Sequence, residues 1–328
     1  MIHGGNVWTE ENPSKWLDFS ANLRPKGPPE WVIEAIKASL HEVRFYPDPE
    51  MKRTIRGLAA YTGLPEERIL PCAGGEAAID LSLTNDSGCV FTQRLSFGEY
   101  AARASVHNRK HAVWNGACKP GDTLILANPN NPTGQAMDRK ELLSLHDRLT
   151  SAGAELIVDE AFIDFCPAFS LRKDVGNGLM IVGSLTKILG IPGVRLGYIC
   201  AEPEVIERMK RRMLPWSLSA QAAEIASRLP EHMDLIRQDA QVNKQRREEF
   251  SALLKGIGAD ALPSQSNFLL VDFHRNMSDA AARLHSRGIL VRTCGSFGLA
   301  DNYLRLAVKT EAENRRLIRE LEEILYAG

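Results

Sequence analysis

The chain has 328 residues, 44% hydrophobic and 25% charged, which is long enough for two domains and ordinary for a folded, water-soluble protein. A net charge of -1 gives no basic field for nucleic acid or an acidic membrane surface, and no apolar run approaches the roughly 20 residues that cross a bilayer. The six cysteines are scattered without a CxxC pair, so metal and disulfide frameworks are not expected, and reduced thiols in a cytoplasmic protein are.

Residues 1–6 show no basic-then-apolar signal pattern. A helix is predicted over 29–40, and a second over 75–83, entered through the glycine-rich turn Ala73-Gly74-Gly75-Glu76-Ala77. Strands over 89–91 and 123–127 precede a helix over 138–152, where Leu142, Leu145, His146 and Leu149 recur at helical spacing and Gly153 supplies a stop. Strands follow over 156–158, 179–183 and 197–200, then a helix over 203–213. Strands alternating with helices predict an α/β fold: a large domain with a mostly parallel sheet covered by helices on both faces. The last third departs from this pattern. A long charged amphipathic helix over 232–254 leads to strands over 268–273, 289–292 and 303–308 and helices over 280–287 and 311–326. These form a smaller α+β domain. With the N-terminal segment packed against it, the expected division is 44–230 for the large domain and 1–43 with 231–328 for a discontinuous small one.

In a parallel sheet, chemistry collects beyond the C-terminal ends of the strands. Three groups fall there: Asn131 in Asn130-Asn131-Pro132-Thr133-Gly134, Asp159 in Val158-Asp159-Glu160, and Lys187 in Ser184-Leu185-Thr186-Lys187. Taken singly, each has a plainer use: a turn residue, a helix cap, a solvated lysine. Together they meet the needs of a pyridoxal phosphate site. The amine forms a Schiff base with the aldehyde, the aspartate keeps the pyridine nitrogen protonated, and the asparagine donates to the ring oxygen. Ser184 and Arg195 suit a phosphate as neutral donor and charged fork. The turn at Gly74 and Gly75 offers helix N-terminal N–H groups to the same anion, with no Gly-Lys-Ser/Thr ending to mark a nucleotide loop. Arg305 stands in an apolar strand, either as a structural ion pair or as a fork for a substrate carboxylate. No GxGxxG follows a first strand, which disfavours a nicotinamide dehydrogenase. The intact lysine, aspartate and asparagine argue against a regulatory scaffold.

These motifs together resemble the fold-type I pyridoxal phosphate enzymes of the class I/II aminotransferase superfamily, along essentially the whole chain. The resemblance implies the PLP-dependent transferase fold, with Lys187, Asp159 and Asn131 in the roles above and Phe97 stacked on the ring. It implies Gly74, Gly75, Glu76, Ala77, Ser184 and Arg195 around the phosphate, and Tyr46 reaching the phosphate of a neighbouring subunit in a homodimer with shared active sites. Within the superfamily the chain is similar to two groups, the histidinol-phosphate aminotransferases and the L-threonine-O-3-phosphate decarboxylases of cobalamin biosynthesis. His3-Gly4-Gly5-Asn6, Leu17-Asp18-Phe19-Ser20-Ala21-Asn22 and Met213-Leu214-Pro215-Trp216-Ser217 match the decarboxylases. So does Phe162, which stands where aminotransferases usually carry a tyrosine. Glu76 departs from the hydroxyl residue common there, and the chain is short for either group. A phosphorylated amino acid is thereby implied as substrate, with His3, Asn22 and Arg292 on its phosphate and Arg305 on its carboxylate.

Overall fold

The computed structural model describes residues 4–9 and 12–326. In its first part lie strands β1 (Leu17–Asp18), β2 (Ile69–Cys72), β3 (Val90–Thr92), β4 (His111–Val113), β5 (Thr123–Ala127), β6 (Glu155–Asp159), β7 (Leu179–Ser184) and β8 (Gly197–Cys200). Helices α1 (Glu30–Ser39), α2 (Lys52–Thr62), α3 (Gly75–Ser82), α4 (Glu99–Val106), α5 (Arg139–Ser151), α6 (Pro203–Lys210) and α7 (Ala220–Arg228) alternate with them. Then come α8 (Met233–Gly256), β9 (Asp260–Ala261), β10 (Phe268–Asp272), α9 (Ser278–Ser286), β11 (Ile289–Leu290), β12 (Arg292–Thr293), β13 (Tyr303–Ala307) and α10 (Glu311–Tyr326).

The large sheet has the order β2-β8-β7-β6-β5-β3-β4, and β8 alone runs against its neighbours. The three central strands are buried except at Glu155. Their side chains divide by the two-residue period of a strand. Leu124, Leu126, Leu156, Val158, Leu179 and Ile181 enter one core, and Ile125, Ala127, Ile157, Met180 and Val182 enter the other. Burial on both faces is why these strands read as unbroken apolar runs. Each such leucine or isoleucine contributes about 1.5–3 kcal/mol. Residues 114–122 cross back from β4 to β5 without a helix, unusually briefly for a parallel connection. Trp114 meets Phe91 edge-on at 5.5 Å and covers that part of the sheet instead.

The smaller sheet, β12-β13-β10-β9, is antiparallel and packs α8, α9 and α10 around a separate core that includes Phe250, Leu254, Leu269, Val271, Leu304 and Leu317. Helix α8 joins the two layers, with Ile236 in the large-sheet core and Phe250 in the smaller one. The N-terminal segment, expected to pack as a whole with the smaller layer, divides. Strand β1 pairs with β11 and Phe19 enters the smaller core, but α1 lies on α7 and buries Trp31, Val32 and Ala35 in the large-sheet core. The predicted strand over 289–292 is also two: β11 pairs with β1, and β12 with β13. Gly153 stops α5 as expected, with φ 71 just past the helix. Among the described residues no helix is long and apolar enough to cross a membrane.

Candidate active site

A cavity of about 660 Å³ opens beyond the C-terminal ends of β5, β6 and β7. Register explains the meeting of its central groups. Asp159, the last residue of β6, pairs with Ala127 of β5 and Val182 of β7, so the turns that follow those two strands flank it. Asn131 lies in the first turn and Lys187 in the second, and all three residues line the cavity.

Asp159 is buried, and burial raises its pKa above the ordinary aspartate value. Tyr100 Oη donates to its Oδ2 at 2.7 Å, the Ala161 N–H donates to Oδ1 at 3.0 Å, and the Lys187 charge adds attraction. These oppose the shift without cancelling it. Tyr100 is fully buried and is a site residue the sequence reading missed. Phe97 precedes α4 and Tyr100 lies in its first turn, so no helical spacing in the sequence joined the two. The two rings meet edge-on at 5.7 Å.

Lys187 Nζ donates to Thr186 Oγ1 at 2.9 Å, and Thr186 shares a 2.8 Å hydrogen bond with Ser184 Oγ. Burial lowers the lysine pKa to about 8; Asp159 opposes this, and the Arg195 and Arg305 charges reinforce it. The free amine, the nucleophilic form, is therefore about a tenth of the population at pH 7, far more than for an ordinary lysine. Phe162 stands 5.9 Å from Nζ at the ring centroid and offers no hydroxyl.

Arg305 Nη1 donates to Asn131 Oδ1 at 2.6 Å, which leaves the Asn131 amide N–H₂ to donate elsewhere. At the other end of the cavity, α3 starts against β7 and β8. A Cβ on Gly74 would come within 2.6 Å of Arg195 Nη2, one on Gly75 within 3.1 Å of Ser184 Cβ, and one on Gly197 within 2.6 Å of the Gly74 backbone. Only glycines let the helix N-terminus approach Ser184 and Arg195 this closely. The first N–H groups of α3 have no partner within the helix. With Ser184 and Arg195 they form an anion cradle. Arg195 itself takes φ 63, a left-handed conformation uncommon for a branched-out side chain of its size.

These features fit pyridoxal phosphate. A buried carboxylate whose pKa is raised calls for a cation, which a pyridinium nitrogen supplies. The cradle fits a phosphate, and an amine whose pKa is lowered lines the same cavity. Gly75, Glu76, Phe97, Ser184, Arg195, Asn22, Arg292 and Arg305 join the three central residues on the cavity wall. Gly74 and Ala77 do not line it. Gly74 caps α3 behind the cradle, and Ala77 packs against the adjoining core. Tyr46 lies elsewhere, 81% exposed and against Trp216 with ring centroids 5.0 Å apart. His3 is outside the described residues. The N-terminal motif nonetheless reaches the site. Gly4 and Gly5 line the cavity, and the Gly5 N–H donates to Ser20 Oγ at 2.8 Å. A Cβ on Gly4 would overlap the Ser20 carbonyl. Asn22 Oδ1 is buried there without a partner, an acceptor left for a ligand.

Behind Asp159 lies a charged cluster that the sequence did not reveal. Arg172 pairs with Glu160 at 3.2 Å and with Asp164 at 3.1 Å, and Tyr61 Oη donates to Asp164. Ser170 Oγ and the Leu171 N–H also donate to Glu160, at 2.7 and 2.6 Å. The cluster ties the turn after Asp159 to residues 170–172 and to α2. Removing the cation would leave two buried carboxylates facing each other. Arg172→Met is therefore expected to lower the unfolding free energy by about 3–5 kcal/mol, read from thermal or denaturant unfolding. A loss below about 1 kcal/mol would contradict this reading.

The family model for aminotransferase class I and II matches residues 14–321. The chain is 31% identical to the threonine-phosphate decarboxylase of Salmonella typhimurium, over 98% of this chain and 96% of the relative. The structure of the histidinol-phosphate aminotransferase from Clostridium acetobutylicum superposes with a TM-score of 0.85 at 25% identity, covering 93% of this chain and 98% of the other. That of the Sinorhizobium meliloti histidinol-phosphate aminotransferase, in complex with pyridoxal 5'-phosphate, superposes with a TM-score of 0.85 at 21% identity, over 94% and 90%.

Proposed function

The chain belongs to the class I and II aminotransferase family, and on that premise we propose that it decarboxylates L-threonine O-3-phosphate to (R)-1-amino-2-propanol O-2-phosphate and carbon dioxide, in cobalamin biosynthesis. The family implies pyridoxal phosphate as cofactor. When bound, it supplies an electron sink for the bond broken at the substrate Cα. Lys187 would hold it covalently, Asp159 would pair with the ring nitrogen, and Asn131 would donate to the ring oxygen. Phe97 would cover the ring face, while Ser184, Arg195 and the first turn of α3 would hold the phosphate.

The remaining residues bind and orient the substrate. One observation carries the choice of substrate class: Arg292 and Arg305, both buried, face each other across β12 and β13 on the cavity wall. Two cations on one wall suit a molecule with two anionic groups, such as an amino acid bearing a phosphate. Arg305 would fork the carboxylate and Arg292, with the Asn22 amide N–H₂ as a further donor, the phosphate. Which bond at Cα breaks depends on which one stands perpendicular to the cofactor ring. Phe162 supports decarboxylation, because the site lacks the tyrosine hydroxyl usual in transaminases. The threonine-phosphate decarboxylase of S. typhimurium supports it too. Lys187, its pKa lowered by burial to about 8, would return a proton to Cα once carbon dioxide has left.

Two copies would complete the site. Tyr46 is exposed and packs on the exposed Trp216, and its sequence neighbours Val43 and Phe45 are exposed too. In the proposed dimer it reaches the partner's cofactor phosphate. A solution mass twice that of the chain is the expected result, and a mass of one chain would contradict the dimer.

The test of the reaction is a product assay on cofactor-loaded protein with L-threonine O-3-phosphate and no keto acid. Carbon dioxide and aminopropanol phosphate in equal amounts are expected. Turnover of histidinol phosphate only when 2-oxoglutarate is added would instead give an aminotransferase of the histidinol-phosphate type.

A further inference from the structure

The pairing of β12 with β13 sets Arg292 directly opposite Arg305, and both are buried. Like charges in facing positions on a sheet repel, and burial removes much of the water that would screen them. Arg305 has anchors of its own. It donates to Asn131 Oδ1 at 2.6 Å and to the Ser20 carbonyl at 2.7 Å, both neutral, and its Nε is buried without an acceptor. Arg292 leans on the turn that follows β12. Its Nη2 donates to Ser296 Oγ at 2.6 Å.

The next residue of that turn serves both cations. The Phe297 ring centroid lies 5.2 Å from Arg292 Cζ and 5.9 Å from Arg305 Cζ, within reach of a cation–π attraction to each. The ring is held in place by its backbone. The Phe297 N–H donates to the Cys294 carbonyl at 3.0 Å, the Gly298 N–H donates to the Gly295 carbonyl at 2.9 Å, and Gly298 closes the turn with φ 79. Both Ser296 and Phe297 line the cavity.

We propose that Phe297 is a specificity-determining residue: its ring, shared by Arg292 and Arg305, keeps two cations in one cavity wall, so that the site prefers an amino acid carrying a second anion, a phosphate, over one with a carboxylate alone. The inference rests on the reading of the substrate as a phosphorylated amino acid and says how this chain enforces that choice. A carboxylate alone needs only Arg305, which Asn131 and Ser20 already hold. A second anion needs Arg292 at a fixed distance from Arg305, and Phe297 contacts both.

The test is a binding titration on cofactor-loaded protein, followed by the absorbance change of the bound cofactor, with L-threonine O-3-phosphate and with L-threonine. Wild type, Phe297→Leu and Phe297→Tyr are compared, each after its melting temperature shows that it folds. Phe297 is half-buried in a surface turn, so all three should fold. Phe297→Leu is expected to weaken the phosphate ester about tenfold while changing L-threonine little, and Phe297→Tyr, which keeps the ring, to restore the preference. A wild type that prefers the ester, with the same preference kept in Phe297→Leu, overturns this inference alone. Equal weakening of both ligands also overturns it, because a merely structural role does that. A wild type with no preference overturns the reading of a phosphorylated substrate, and this inference with it.

Discussion

Lys187→Ala, supplied with pyridoxal phosphate, is expected to show no absorbance band of lysine-bound cofactor and to turn over its substrate roughly 10²- to 10⁴-fold more slowly than wild type. Two roles are lost together. The amine that would hold the cofactor is gone, and so is the group placed to move a proton at Cα. The cradle of Ser184, Arg195 and the α3 N-terminus remains, so the variant is expected to bind the cofactor still, reversibly and free in solution on dilution. The wild-type comparison has a pH signature. Only the uncharged amine attacks an aldehyde, and burial lowers the Lys187 pKa to about 8. Cofactor uptake should quicken as pH rises through about 8 and level off above it. A surface lysine would go on gaining to well above pH 9. A band that survives in Lys187→Ala contradicts the assignment.

Asp159→Asn is expected to lower kcat by about 10²- to 10³-fold with a smaller change in KM. The substitution keeps the shape of the side chain and an oxygen able to accept the Ala161 N–H, so the local fold should hold. It removes the one negative charge buried where the ring nitrogen would lie, and the nitrogen would then lose its proton. Because Tyr100 donates to the same carboxylate, part of the protein's control over that charge is held by a buried hydroxyl. A kcat within about tenfold of wild type would show that Asp159 does not face the ring nitrogen.

The central sheet was legible because burial on both faces leaves its strands as apolar runs, and Asn131, Asp159 and Lys187 stand at or just past their ends. The edge strand β2 was not. Its run, Ile69-Leu70-Pro71-Cys72, contains a proline, which argues against a strand inside a sheet. The fold accommodates it because β2 is an outermost strand, bonded only to β8. Lys187 and Asn131 stood out because each sits in a turn of distinctive composition, and Asp159 because it ends an apolar strand. Arg172, Glu160, Asp164 and Tyr61 could not, since isolated charges in a sequence read as solvated and only the tertiary fold brings these four together. Phe297 was passed over for a similar reason. Its two partners were each expected to be ligand groups, but the cross-strand register that makes them neighbours is set by long-range pairing. The division of the N-terminal segment also depends on tertiary packing: α1 shows an apolar face in its sequence without showing which core will take it.

The measurement that tests the proposed reaction most directly is the fate of the hydrogen on Cα. Cofactor-loaded protein would be given L-threonine O-3-phosphate deuterated at Cα, and the products weighed by mass spectrometry. Loss of the carboxyl with the deuterium kept in the aminopropanol phosphate is the predicted result, because the broken bond is then Cα to carboxyl carbon. Deuterium lost to solvent with the carboxyl retained would contradict it, for the site would then be breaking the Cα–H bond as a transaminase does.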